Sequence, residues 1–393
     1  MWSFLSVLSL VQVWLVSLAA APAIVAPTQP LTVPEPDSPE KIAPSASPQL
    51  SNLSLSPQLD QQLQRYRQFL AQGGPPDILI VGSSRALQGI DPIALQQALV
   101  HQGLPHLRVF NLGLNGATAQ VVDLILRQLL LPDQLPRMII WGDGSRAFNS
   151  GRTDQTYRKL VASPGYQRLA ARQPLPTALS SSLGSRGLCL EVPRNPVAQK
   201  TLPAKRSHPS PLPPSTLIPE LLNFRRLCVP QLRSLLVPEA AAAPEAKAGD
   251  RKVSLGFNPV ASRFDPNTYY DRFPRVAGKY DGDYRNFQLE GEQRRALHRI
   301  FKFTQTHQIP VVFVNLPLSQ PYVDPWRTKY EQQFRTHVQS LVTSGDWLVF
   351  DLSQHWPTRY DYFSDPSHLN LHGARVVAVE VARNLAILLE PRK

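Results

Sequence analysis

Cysteine is almost missing from this chain. Cys189 and Cys228 are the two in 393 residues, and no C-x-x-C or His/Cys spacing accompanies them, so no metal site is expected. The pair either forms one disulfide in an oxidising compartment or stays as two buried thiols. No glycine-rich loop is followed by a lysine, which argues against a phosphate cradle for a nucleotide, and no cofactor is expected. Lys and Arg outnumber Asp and Glu by 41 to 29, for a net charge of +12. Yet no basic run is interleaved with aromatics, so nucleic acid is not an expected partner. The basic excess suits acidic polysaccharide or anionic lipid, or is simply a solvated basic surface.

Charge is absent altogether from residues 2–26, which are rich in Leu, Val and Ala. This stretch reads as a signal peptide or membrane anchor, with Ala19-Ala20-Ala21 as a small-residue cleavage site, although no Lys or Arg precedes it. A buried N-terminal helix is the alternative. The expected location is therefore exported, periplasmic or membrane-anchored. Residues 27–56 hold Pro, Ser, Thr and Ala with few large apolar side chains, the composition of a disordered tether.

What is present is a repeated strand–loop–helix unit. A helix over 59–72 ends at Gly73-Gly74-Pro75, and the apolar run Ile78–Val81 reads as a strand. Asp91-Pro92 caps a helix to about Gln102. Leu107–Leu112 and Met138–Trp141 are further strands, separated by a helix over 119–131. The pattern breaks over 163–260, where prolines cluster and only 217–236 looks helical; this is an insertion, part helical and part disordered. A tyrosine-rich segment over 267–287 reads as an ordered surface loop. Regular structure resumes with a helix over 292–308, a strand over 310–316, a helix over 325–342, a strand over 347–351 and a closing helix over 372–389. Short connections between five strands and intervening helices imply a flavodoxin-like three-layer α/β/α sandwich on a parallel sheet of about five strands. Its two parts are 57–162 and 261–393, with the Pro-rich insertion between them.

Three polar loops leave the carboxyl ends of these strands, where such folds gather their sites. Gly82-Ser83-Ser84-Arg85 follows the first strand. Gly113-Leu114-Asn115-Gly116-Ala117-Thr118 follows the second. Asp365-Pro366-Ser367-His368 precedes the last helix. A serine hydroxyl, an imidazole and a carboxylate are the parts of a nucleophile–base–acid triad. Taken singly, the serines also read as a helix cap, and the Asp/His pair as an Asx-turn beside a surface histidine.

These blocks, Gly82-Ser83-Ser84, Asn115-Gly116-Ala117-Thr118 and Asp365-x-x-His368, in this order, resemble blocks I, II and V of the SGNH/GDSL hydrolase superfamily. The chain especially resembles the "GSSR"-type branch found in exported proteins that handle O-acyl groups on cell-surface polymers, and SGNH-hydrolase-like proteins of cyanobacteria. The resemblance covers about 77–390 without the insertion. It implies Ser84 as nucleophile, His368 as base, Asp365 as the residue orienting it, and the Ser84 and Gly116 amides as oxyanion donors. Ser83 takes a place usually held by Asp. The family's third block expects G-x-N; here Gly144 stands at the Asn position, leaving Asn149 as a substitute donor or the donor missing. Arg85, Arg146 and Arg152 share the rim loops and are candidates to bind an anionic sugar or carboxylate, or are solvated loop arginines. The function implied is a serine esterase or O-acyltransferase acting on an acylated cell-envelope carbohydrate, or an inactive relative that binds or assembles envelope polysaccharide.

Overall fold

The structure is a computed structural model that describes residues 54–172, 255–275, 281–343 and 347–389. The expected leader of 1–26, nearly all of the tether, the helix at 217–236, Cys189 and Cys228 lie outside the described residues.

Five apolar runs form one parallel sheet. They are β1 (Ile78–Gly82), β2 (Val109–Asn111), β3 (Met138–Asp143), β4 (Val311–Asn315) and β5 (Leu348–Asp351), in the order β2-β1-β3-β4-β5. The helices are α1 (Pro57–Ala71), α2 (Ser84–Gly89), α3 (Pro92–His101), α4 (Ala119–Leu124), α5 (Gln155–Val161), α6 (Pro164–Arg172), α7 (Pro266–Arg272), α8 (Glu292–Thr306), α9 (Pro325–Thr343) and α10 (Leu371–Leu389). A two-residue-wide hairpin, β6 (Phe363–Asp365) with β7 (His368–Leu369), precedes the last helix.

The strand sequences explain the layering. Every residue of β1 to β4 is buried, whereas the edge strand β5 is partly exposed. Sheets covered on both faces need such continuous apolar runs. Leu79, Val81, Ile139, Trp141, Val311 and Phe313 point to the layer holding α1, α4 and α8. Their neighbours Ile78, Ile80, Met138, Ile140, Val312 and Val314 point to the layer holding α3 and α10. The result is the expected α/β/α sandwich.

Several local expectations change. The helix expected over 119–131 is α-helical only to Leu124; Ile125–Leu129 widens into a π-turn, with Leu130 N donating to Ile125 O at 3.1 Å. The limits drawn at 163 and 260 fall inside packed segments. Tyr166 of α6 donates to Gln128 Oε1 at 3.1 Å. On the far side, Asn111 N donates to Leu255 O and Leu371 N to Val260 O, both at 2.8 Å. The tyrosine-rich segment is not all surface, because Tyr284 is 1% exposed and clusters with Leu318 and Tyr322. Burial is tolerable there because its hydroxyl has the Glu331 carboxylate as acceptor. Among the described residues no helix is long and apolar enough to cross a membrane.

Trp141 sits at the centre of one layer, fully buried, with ring centroids 5.2 Å from Phe148 and 5.4 Å from Trp347. Its indole N–H has no hydrogen-bond partner. Trp141→Ala should cost about 3–5 kcal/mol in urea unfolding, the usual range for an emptied aromatic site. Trp141→Phe should cost under half of that, since it removes an unpaired buried donor along with the lost volume.

Candidate active site

The sheet reverses direction of growth between β1 and β3, the switch point at which α/β folds open a crevice. Register there sets Gly82 beside Gly142, so the residues just beyond the two strand ends meet. Ser83 N donates to Asp143 Oδ2 and Ser83 Oγ to Asp143 Oδ1, both at 2.9 Å, and Gly144 N adds a third bond to Oδ1 at 3.0 Å. Ser83 Oγ also accepts from Arg85 N at 3.2 Å and so caps α2. Ser83 is thus committed to holding the turn. Ser84, the first residue of α2, is left facing the cleft.

The partner of Ser84 comes from the hairpin. Ser84 Oγ lies 2.8 Å from His368 Nε2, across 284 residues of sequence. His368 Nδ1 lies 2.8 Å from Asp365 Oδ2 and 3.0 Å from Oδ1. A carboxylate only accepts, so Nδ1 bears the ring proton and Nε2 offers its lone pair to the Ser84 O–H. Asp365 Oδ1 further accepts from Ser367 N at 2.8 Å and His368 N at 2.9 Å. Burial works against the Asp365 carboxylate, but the hydrogen bond and charge of His368 and these two amides outweigh it and hold its pKa below the usual value. Asn370 fixes the hairpin's base by donating to Asp361 O at 2.8 Å and Phe363 O at 3.1 Å. Leu369 packs against α2 near Gly89, which links the hairpin of His368 to the helix of Ser84.

Gly116 borders the same cleft, a space of about 280 Å³ shared with Ser84, Arg85, Arg146, Thr156 and His368. Its φ of +69° favours glycine, and a Cβ there would stand 2.7 Å from Thr156 Oγ1. The Gly116 amide donates to no backbone acceptor among the described residues. The Ser84 amide, at the first helical position, has no intrahelical acceptor. Two N–H groups therefore border the space next to the serine hydroxyl.

The remaining candidates are otherwise employed. Asn149 is buried, with Nδ2 donating to Asp283 O at 2.8 Å and Arg285 O at 3.2 Å, while Oδ1 accepts from Gly151 N and Gln288 N at 2.9 Å. All its bonds go to backbone, so it is not a donor towards Ser84, correcting that expectation. Arg85 is buried rather than solvated, and Nη2 donates to Leu316 O at 2.5 Å and Pro317 O at 3.0 Å. Arg146 and Arg152 share Asp283, at 3.3 Å and 3.1 Å. Both still line the cleft, their charge partly offset. Asp143 and Asp283 are the functional-looking residues that motif reading passes over. For Asp143 a signal exists, since a carboxylate ending an apolar strand must find buried donors. For Asp283 none does. Among the described residues no group of three or more His, Cys, Asp or Glu side chains could hold a metal ion.

No family model matches the sequence, and no curated protein does. Among solved structures, the chain is similar to the crystal structure of a lipase/acylhydrolase from Enterococcus faecalis, at 10% identity and a TM-score of 0.33. That likeness covers 80% of this chain and 98% of the other.

The Asp365 carboxylate, with its depressed folded pKa, contributes stability that is present above the unfolded value of about 4 and is lost as pH falls through the lower folded one. The difference in unfolding free energy between wild type and Asp365→Asn should therefore shrink as pH falls below about 4. Urea titrations between about pH 5 and pH 2 measure it; a difference that grows over that range contradicts the assignment.

Proposed function

We propose that the protein is a serine esterase or O-acyltransferase of the SGNH type, acting on an acylated carbohydrate of the cell envelope. One observation carries this reading: a serine hydroxyl, an imidazole and a carboxylate, drawn from two remote loops, stand in hydrogen-bond sequence at 2.8 Å and 2.8 Å. In the proposed reaction Ser84 Oγ bonds to the ester carbonyl carbon as its proton passes to His368 Nε2. The carbonyl electron pair moves onto oxygen, facing the Ser84 and Gly116 amides. Collapse restores the carbonyl and expels the alcohol, which takes the proton from Nε2. Water or a sugar hydroxyl then attacks the acyl-Ser84 ester by the same path in reverse. Asp365 holds the ring tautomer and stabilises the imidazolium.

A carbohydrate is favoured by what adjoins the cleft. A second hollow, lined by Tyr269, Tyr270, Tyr322, Arg327, Asp281 and Asp365, meets the first at Arg146 and Asp283, which line both. Aromatic faces beside charged hydrogen-bonding groups suit sugar rings better than long acyl chains. The uncharged apolar segment at 2–26 supports an exported or anchored location. A second reading, an inactive envelope polysaccharide binder, draws on Gly144, which brings no side-chain donor, and on the committed Asn149.

Ser84→Ala should abolish covalent labelling by a fluorophosphonate probe and lower kcat on an aryl acetate by on the order of 10⁶-fold. Asp365→Asn should lower it by about 10⁴-fold with the fold intact. Equal labelling of wild type and Ser84→Ala contradicts the esterase reading. Retention of acidic polysaccharide by His368→Ala, with no ester cleaved by wild type, would favour the binder.

A further inference from the structure

Gly144 is a glycine for reasons of space. Its φ of −161° is extended backbone that any residue adopts, so the chain's path does not demand it. What excludes a side chain is Arg85: a Cβ at 144 would overlap Nη1 of the guanidinium and stand 3.1 Å from Cζ. Arg85 and a side chain at 144 are therefore mutually exclusive occupants of one volume beside the cleft. The arginine is also unusually well fixed. It is 4% exposed, and Nη2 is spent on the Leu316 and Pro317 carbonyls at the end of β4. The recorded guanidinium hydrogen bonds of Arg85 are both from Nη2, so Nη1 makes none among the described residues, and Arg85 lines the space shared by Ser84, Gly116 and His368. A buried guanidinium with one edge anchored and another edge unspent, next to a nucleophile, has a donor to offer whatever charge develops there.

We propose that Arg85 is the third oxyanion donor, its Nη1–H group standing in place of a side-chain amide from residue 144. The proposal rests on the esterase reading above. When Ser84 Oγ bonds to the carbonyl carbon and the electron pair moves to oxygen, the Ser84 and Gly116 amides and Arg85 Nη1–H close on that oxygen from three sides. Expulsion of the alcohol returns the pair to the carbonyl. The donor is preorganised, because the Leu316 and Pro317 carbonyls already hold the guanidinium and no reorganisation accompanies charge development. Its positive charge makes the bond charge-assisted, stronger than that of a neutral amide. The arrangement also accounts for Asn149 being free to serve the backbone of 283–288. The hole does not require it.

The test is a donor swap, read on an aryl acetate together with the melting temperature of each variant. Arg85→Met keeps the apolar stem and removes the donor; it should lower kcat by about 10²–10³-fold with KM changed less than about threefold. Gly144→Asn alone should be inactive or unstable, since the arginine occupies the space. In Arg85→Ala/Gly144→Asn the amide enters the vacated volume, and kcat should recover at least about tenfold over Arg85→Ala. An arginine that only braces the β4 carbonyls would lower the melting temperature and show no such recovery. Should Arg85→Met not fold, the Arg85→Ala pair carries the same comparison. A kcat within threefold of wild type in Arg85→Met, or no gain in the double variant, overturns the donor role while Ser84-dependent turnover leaves the esterase reading standing. Absence of Ser84-dependent turnover in wild type overturns both.

Discussion

Everything in the site depends on the parallel pairing of β1 with β3. Val81 sits opposite Trp141 and Gly82 opposite Gly142, which brings the first polar residues past each strand end together. Asp143 is buried there. Burial pushes its pKa up, against the pull of Arg85 and the donors from Ser83 and Gly144. A carboxylate in that position is tolerable only when its lone pairs are filled. Filling them from Ser83 fixes the backbone of the turn, and a fixed turn sets the direction in which Ser84 leaves the sheet. A slip of one residue in the pairing would send these side chains to opposite faces.

His368 arrives by a different economy. Asp365 and His368 are neighbours in a tight hairpin, so their mutual geometry needs almost no tertiary help: the aspartate accepts from the ring and from two local amides. What the fold must supply is the docking of that hairpin on α2, through Leu369, and its anchoring through Ser319, which donates to Pro366 O at 2.7 Å. A local pair thus meets a remote hydroxyl through one packed contact surface. The positive side of the cleft is built with similar restraint. Asp283 neutralises Arg146 and Arg152 in part, while the carbonyls of Leu316 and Pro317 take one edge of Arg85 and leave the other.

The strands were legible because a sheet covered on both faces requires unbroken apolar runs, and few other segments carry them. The D-x-x-H pairing was legible because i and i+3 on a turn are close whatever surrounds them. Tyr284 was not, since a tyrosine in a polar stretch reads as surface until Glu331, 47 residues on, is seen to accept a hydrogen bond from its hydroxyl. Asn149 looked like a spare donor for the same reason: nothing near it in the chain announces that the 283–288 backbone will consume all its hydrogen bonds.

By itself, then, the order of residues settled the layered α/β/α architecture and the serine- and histidine-bearing loops at the rim, because periodicity and strand-end position are local properties. Tertiary structure alone decided which polar groups are spent and which remain unspent, turning Asn149 into a brace, Asp143 into the holder of the Ser83-Ser84 turn, and Gly144 into room for a guanidinium. Hydrogen-bond capacity is finite, and how it is shared out depends on which distant chain segments the packing brings within 3 Å or so.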